Sequence, residues 1–118
     1  MPKTNITINE REIAEDLMEL GFRPDYSGYH YLKEAIILRM EATGAVNLVN
    51  GIYVDVAKKY GATWSRVERA IRHSIECAWS QNTEAWQEMH KYWPDNDKPN
   101  NGWVIARLAE LHRLKAVS

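Results

Sequence analysis

The stretch that decides the fold runs from residue 54 to residue 79 and reads VDVAKKYGATWSRVERAIRHSIECAW. It has the spacing of a helix-turn-helix, in which a small residue lies where two helices cross, a glycine makes the turn and an apolar residue packs back. Ala57, Gly61 and Val67 occupy these three positions. The spacing predicts a short helix over 52–60 and a longer helix over 63–79.

The other apolar residues of this stretch are expected to form its buried side. Besides Val67, the predicted buried positions are Val56, Tyr60, Ala62, Ala70 and Ile71. No charged residue falls at any of them, and neither helix contains a proline. The two helices can therefore pack on each other and on a common core.

The outer side of the second helix is basic, although the whole chain has a net charge of −1. Residues 58–73 contain five Lys and Arg residues and one acidic residue, a net charge of +4. Positive charge concentrated in one short segment is what phosphate binding requires, whatever the total charge. The simpler alternative is a solvated helix face, which most charge runs are.

The first turns of a recognition helix point into the major groove of DNA. The side chains predicted to face base edges are Trp64, Arg66, Glu68 and Arg69. Arginine donates two hydrogen bonds to guanine and glutamate accepts one from cytosine, so we expect a G/C-containing site. A second group is predicted to contact phosphates, together with the backbone amides at the helix start: Lys58, Lys59, Thr63, Ser65, Arg72 and His73. The pattern predicts a protein that binds double-stranded DNA.

Outside this stretch, apolar residues recur at helical spacing in four further segments, 10–20, 29–43, 83–92 and 101–114. Asn9 with Glu12 indicates a capping box at the start of the first segment, and Gly21 indicates its end. Segment 45–51 is ambiguous, and segment 93–100 has the composition of a loop. The sequence therefore predicts one compact all-α domain of six helices over 9–118, preceded by a flexible arm at 1–8.

Several functional classes find no support in the sequence. No apolar run approaches the ~20 residues of a membrane span, and the first residues lack the apolar stretch of a secretory signal. The single cysteine, Cys77, suits a reducing cytoplasm, and it lies near only one other metal-ligating residue, His73. No phosphate-binding loop or hydrolase motif is present. We therefore expect no enzymatic activity, no cofactor, no bound metal and no membrane association.

The decisive stretch also resembles a known family. Residues 54–60 (VDVAKKY), 65–76 (SRVERAIRHSIE) and 78–80 (AWS) are similar to the C-terminal, DNA-binding effector domain of the sporulation initiation response regulator, the stage-zero sporulation protein A family. Residues 28–36 and, more loosely, 98–101 share the resemblance, which covers roughly residues 12–115. It implies a six-helix transcription factor of endospore-forming bacteria that binds a short promoter box, often as tandem copies.

The resemblance further implies that Arg66, Glu68 and Arg69 read bases and that segment 81–92 contacts a polymerase sigma factor. The sequence departs from the family in three respects. The sequence given carries no phosphoacceptor receiver domain, as expected of a stand-alone paralogue or an excised domain, Trp64 replaces a small residue, and segment 81–93 matches poorly. These departures leave open a second hypothesis, a protein-interaction module of the same fold that antagonises a regulator or a polymerase without binding DNA.

Overall fold

The computed structural model describes residues 7–42, 47–93 and 97–117. This part of the chain contains six α-helices: α1 (Glu10–Glu19), α2 (Ser27–Glu41), α3 (Val54–Tyr60), α4 (Trp64–Trp79), α5 (Glu84–His90) and α6 (Asn101–Val117). A π-helical segment, Leu48–Tyr53, leads into α3. None of the described residues lies in a β-strand, and none of the described helices is long and apolar enough to cross a membrane. The prediction of an all-α, six-helix fold is confirmed.

Local capping determines where several helices begin and end. The Asn9 side chain accepts a hydrogen bond from the Glu12 backbone N–H at the start of α1 (3.2 Å). Thr63 does the same for the Arg66 N–H at the start of α4 (3.2 Å). Such caps satisfy backbone donors that have no partner within the first turn. Gly61 ends α3 with a φ of +64°, a conformation that costs glycine little.

The observed helix limits differ from the predicted ones by a few residues. Helix α2 begins at Ser27 instead of residue 29, α5 ends at His90 instead of 92, and α6 continues past 114. The predicted third helix begins only at Val54, because the residues before it take the wider winding of a π-helix. Parts of the predicted arm, the second helix, the ambiguous segment and the loop lie outside the described residues: 1–6, 43–46 and 94–96.

One predicted core position is wrong. The sequence pattern places Tyr60 on the buried side of α3, but its side chain is 42% exposed. Its ring packs edge-on against the ring of Tyr31, with centroids 5.2 Å apart. Tyr31 is itself buried and occupies the space next to the core, so Tyr60 covers it from the outside. Of the other predicted positions, Val56, Val67 and Ile71 are buried, and Ala62 and Ala70 are half-buried.

The core is built around α2, which packs against both α4 and α6. Leu32 and Ile36 of α2 are fully buried, and so are Val67, Ile71 and Ile75 on the inner face of α4. Burial of each such aliphatic side chain contributes about 1.5–3 kcal/mol. The inner face of α4 is thus held firmly by the core, which leaves its outer face available.

Helices α2 and α4 touch at Gly28, in the first turn of α2. A Cβ atom at this position would lie 1.9 Å from the hydroxyl oxygen of Ser74 and 2.3 Å from the carbonyl oxygen of Ala70. Real side chains do not approach so closely, so the contact requires the missing side chain of glycine. The start of α2 therefore lies directly beside the middle of α4.

The tryptophans in the second half of the chain contribute to packing. Trp86 is completely buried and lies between Trp79 and Phe22, with ring centroids 5.5 Å and 6.0 Å away. Trp93 and Trp103 form a second pair, 5.2 Å apart, and both are half-buried. These rings attach α5 and the start of α6 to the rest of the domain.

Candidate nucleic-acid interface

Helix α3, the turn at Gly61 and helix α4 form a helix-turn-helix. Ala57 is buried in α3, and its carbonyl accepts a hydrogen bond from the Ala62 N–H across the turn (2.9 Å). Gly61 takes the left-handed conformation that the turn requires, and Val67 is fully buried. The three positions that defined the motif in the sequence therefore have the expected environments.

One line of side chains along the outer face of α4 is exposed. Arg66 and Arg69 have no hydrogen bond or ion pair from their guanidinium groups to any residue that the structure describes. With His73, also exposed, they form what we call the arginine row. The row borders an open groove that is also lined by Thr63, Ser65 and Ala70. Hydrogen-bond donors without internal partners are thus presented at the protein surface.

A second line of charged side chains on α4 is bound to the rest of the protein. Glu68, Arg72 and Glu76 follow one another at intervals of four residues, and we call them the anchored row. Oε2 of Glu68 lies 3.6 Å from Nε of Arg72, and Oε1 of Glu76 lies 3.0 Å from Nζ of Lys98. The hydrogen bond from Lys98 lowers the pKa of Glu76. The anchored row is therefore occupied by internal contacts.

Asn101 joins the anchored row to the interior. Its buried side-chain amide donates to the Tyr53 hydroxyl (3.2 Å), to the backbone carbonyl of Glu68 (3.1 Å) and to Oε2 of Glu68 (3.4 Å). Burial raises the pKa of Tyr53, so its hydroxyl is neutral at pH 7. Tyr53 ends the π-helical segment and Asn101 begins α6, so both elements meet the second turn of α4 at this point.

The two predicted lysines differ in their surroundings. Lys58 is exposed and has no hydrogen bond or ion pair to any described residue. Nζ of Lys59 lies 2.9 Å from Oε2 of Glu34 on α2, and this hydrogen bond raises the pKa of Lys59. Lys58 is therefore available to an external partner, whereas Lys59 already holds a carboxylate.

The far end of the arginine row meets the loop that precedes α2. The Tyr26 ring stacks on His73, with centroids 6.3 Å apart, and the Arg23 guanidinium lies 4.8 Å from the Tyr26 ring centroid. Arg23 also pairs with Asp25 at 2.8 Å, and its hydrogen bond lowers the pKa of Asp25. The sequence did not indicate this cluster because Arg23 and Tyr26 lie far from His73 along the chain.

His73 and Cys77 are close together on α4, with 3.6 Å between Nε2 and Sγ. A structural zinc site needs four ligands, and a catalytic site needs three from the protein. Within the described ranges, no group of three or more His, Cys, Asp or Glu residues could hold a metal ion. This pair by itself therefore does not form a metal site.

All ten predicted contact residues lie within the helix-turn-helix, on α3, in the turn or on α4. Most are exposed, whereas Ser65 and Glu68 are partly covered. Trp64, the first residue of α4, is 45% exposed. The charged groups differ in their partners: those of Lys58, Arg66 and Arg69 have none among the described residues, while those of Lys59, Glu68 and Arg72 are paired.

A helix-turn-helix whose second helix exposes unpaired arginines is typical of DNA-binding domains. The family model described as "Sporulation initiation factor Spo0A C terminal" matches residues 13–111 of the chain. The chain therefore belongs to this family, and it is a DNA-binding effector domain of the sporulation type. The match begins within α1, ends within α6 and includes the whole helix-turn-helix. The resemblance carried by residues 54–80 is thereby confirmed.

Proposed function

We propose that this protein regulates transcription by binding a specific promoter sequence with α4 in the major groove. One observation carries the proposal: Arg66 and Arg69 are exposed and unpaired on a helix whose opposite face is buried in the core. A buried inner face holds the helix in one orientation, and base recognition requires side chains presented from such a rigid element. Membership of a DNA-binding family supports the same conclusion.

The proposed contacts fall into two groups. Arg66 and Arg69 each donate a pair of hydrogen bonds to O6 and N7 of a guanine, the commonest specific contact in the major groove. A second group borders the groove or the turn and contacts phosphates: Lys58, Thr63, Ser65 and His73. Phosphate contacts set the position of the helix on the duplex but carry no sequence information directly. Specificity therefore depends mainly on the arginine row.

Two other predicted contact residues, Lys59 and Arg72, would first loosen an internal ion pair. Lys59 is paired with Glu34, and Arg72 with Glu68. Both cations are more than half exposed, and ion pairs at a protein surface are weak, so a phosphate group can displace the carboxylate in both cases. Glu68 is held through Oε2 by Asn101 and Arg72, so we propose that its Oε1 accepts a hydrogen bond from cytosine. Reading by Glu68 would thus leave its contact with Asn101 in place.

Selection of bound duplexes from a random pool would identify the box, and fluorescence titrations at two salt concentrations would then measure affinity. We expect specific binding that weakens steeply as the salt concentration rises. Arg66→Ala or Arg69→Ala should cost about 1–3 kcal/mol on the selected box and relax the base preference at one position. Lys58→Ala is the control, because loss of a phosphate contact should weaken binding to the box and to scrambled DNA alike.

Two outcomes would contradict the proposal in different ways. If Arg66→Ala and Arg69→Ala leave the preference among boxes unchanged, the arginine row does not read bases. If the wild-type protein binds no DNA even at low salt, the second hypothesis, a protein-interaction module of the same fold, is supported instead.

The partners and location implied by the resemblance belong to the same proposal. We propose that the protein acts in the cytoplasm, binds adjacent boxes as tandem copies and contacts a sigma factor through segment 81–92. Helix α5 in this segment exposes Glu84, Gln87 and Glu88, which could form such a contact. Charge reversal at Glu84 and Glu88 should abolish co-purification with the sigma factor while DNA binding is retained. Unchanged co-purification would exclude this surface.

A further inference from the structure

Trp64 is exposed in a way that sets it apart from the other four tryptophans. It is the first residue of α4, and no described residue provides it with an aromatic contact or a hydrogen bond. The other four all make ring contacts with another aromatic residue: Trp79, Trp86, Trp93 and Trp103. Nearly half of this large apolar side chain is therefore exposed at the start of α4, without an aromatic partner among the described residues.

The position of Trp64 indicates what its ring can contact. It directly follows Thr63, the cap of α4, so it projects from the end of the helix that enters the groove under the proposed function. Apolar surface exposed to water at this end would be buried against DNA, which is favourable. In the major groove, base edges present hydrogen-bonding groups together with one apolar group, the C5 methyl of thymine.

We propose that Trp64 contacts the C5 methyl group of a thymine in the bound box and thereby selects thymine over cytosine at that position. This inference rests on the proposed function, because it requires α4 to lie in the major groove. The selection comes from burial of a methyl group against the indole ring and requires no hydrogen bond. The bound box would therefore contain an A·T base pair in addition to the guanines contacted by Arg66 and Arg69.

Deoxyuridine differs from thymidine only by the absence of this methyl group, so replacing thymines one at a time tests the contact without altering base pairing. We expect one replacement within the selected box to weaken wild-type binding about fourfold, as expected for the loss of one buried methyl-sized group. Trp64→Ser should bind the box more weakly and should be insensitive to that replacement. Trp64→Phe, which keeps an apolar ring, should retain the sensitivity.

A control removes an exposed apolar side chain outside the helix-turn-helix. Leu114→Ser takes away a side chain that is 56% exposed on α6, and it should behave like the wild type on both duplexes. Thermal unfolding followed by circular dichroism should show that Trp64→Ser is folded, because the indole makes no ring contact or hydrogen bond with the residues that the structure describes.

Each remaining outcome overturns the inference. If the wild type prefers its box over scrambled DNA but no thymine is sensitive, or if Trp64→Ser stays as sensitive as the wild type, the methyl contact does not exist. In both cases the proposed function stands. If the wild type shows no preference for any box, the proposed function and this inference fail together.

Discussion

The arginine row and the anchored row lie side by side on the outer face of α4, yet among the described residues only the anchored row has ion pairs and hydrogen bonds to α6 and the segment before it. The anchored row alternates acidic and basic residues, and it is bound by Asn101 and Lys98. The arginine row borders an open groove, and its two guanidinium groups have no such partner among the described residues. One helix face thus serves two purposes, attachment to the domain and presentation of donors to a partner.

The division between the rows follows from the position at which α6 begins. Asn101 starts this helix and Lys98 precedes it, so this segment covers one edge of the outer face of α4 and leaves the other edge open. These contacts also prevent α4 from rotating about its own axis. The comparison indicates that the direction in which Arg66 and Arg69 point depends on contacts made by other residues of α4.

The largest loss of stability is expected from Gly28→Ala, because it disturbs the contact between α2 and α4 that supports both rows. A Cβ atom would lie 2.3 Å from the Ala70 carbonyl oxygen, so α2 must move away from α4. Overpacking typically costs about 1–3 kcal/mol, and we expect a loss at the upper end of this range in chemical denaturation. Gly51→Ala is the control, because no atom lies within 4 Å of a Cβ there. Equal stability of the two variants would contradict the tight contact.

Asn101→Ala breaks the anchored row alone and should have the next largest effect. The substitution removes the amide that donates to the buried Tyr53 hydroxyl and to the part-buried carbonyl of Glu68, which costs about 1–3 kcal/mol in the free energy of unfolding. Asn100→Asp keeps the oxygen that caps α6 by accepting from the Trp103 N–H, and it should resemble the wild type. Equal free energies of unfolding for Asn101→Ala and Asn100→Asp would contradict this expectation.

His112 lies outside both rows, and its titration should make the stability of the fold depend on pH. Burial lowers the pKa of His112, although Nε2 lies 2.8 Å from Oδ2 of Asp16 without hydrogen-bond geometry. The unfolded chain, with a pKa near 6.5, then binds this proton more readily than the folded protein. Stability should therefore be full above pH 6.5 and should decrease as the pH falls below it.

The matching variant is His112→Gln, which cannot titrate and should flatten this part of the stability profile. Thermal unfolding at a series of pH values measures both proteins. A wild-type stability that rises as the pH falls from about 7 to about 5 would mean that the Asp16 carboxylate, and not burial, dominates the pKa of His112.

The smallest effect is expected from Lys98→Ala, because its partner Glu76 is exposed and surface ion pairs contribute little. The lowered pKa of Glu76 means that the pair stabilises the fold above the ordinary pKa of 4.5, and that this contribution is lost as the pH falls through the folded pKa. We expect a small decrease in Tm at neutral pH that disappears in acid and shrinks at high salt. A decrease in Tm as large as that caused by Asn101→Ala would contradict the expectation that this ion pair contributes little to stability.

Local features of the fold were predictable from single residues. The cap at Thr63 and the turn at Gly61 each depend on atoms only a few residues away, so the limits of α3 and α4 near the turn agree with the prediction. Tyr60 shows where such reasoning fails. Helical spacing indicates which side of α3 the residue occupies, but only the neighbouring position of Tyr31 shows that the space is already filled.

By itself, the sequence determined the six helices, the helix-turn-helix and the basic segment, because caps, turns and helical spacing act over a few residues. The tertiary structure decided which outer side chains of α4 are bound and which are free. Glu68 and Asn101 lie 33 residues apart in the chain, and Glu76 and Lys98 lie 22 apart. Such contacts form only when α6 packs against α4, and that packing leaves Arg66 and Arg69 open to a partner.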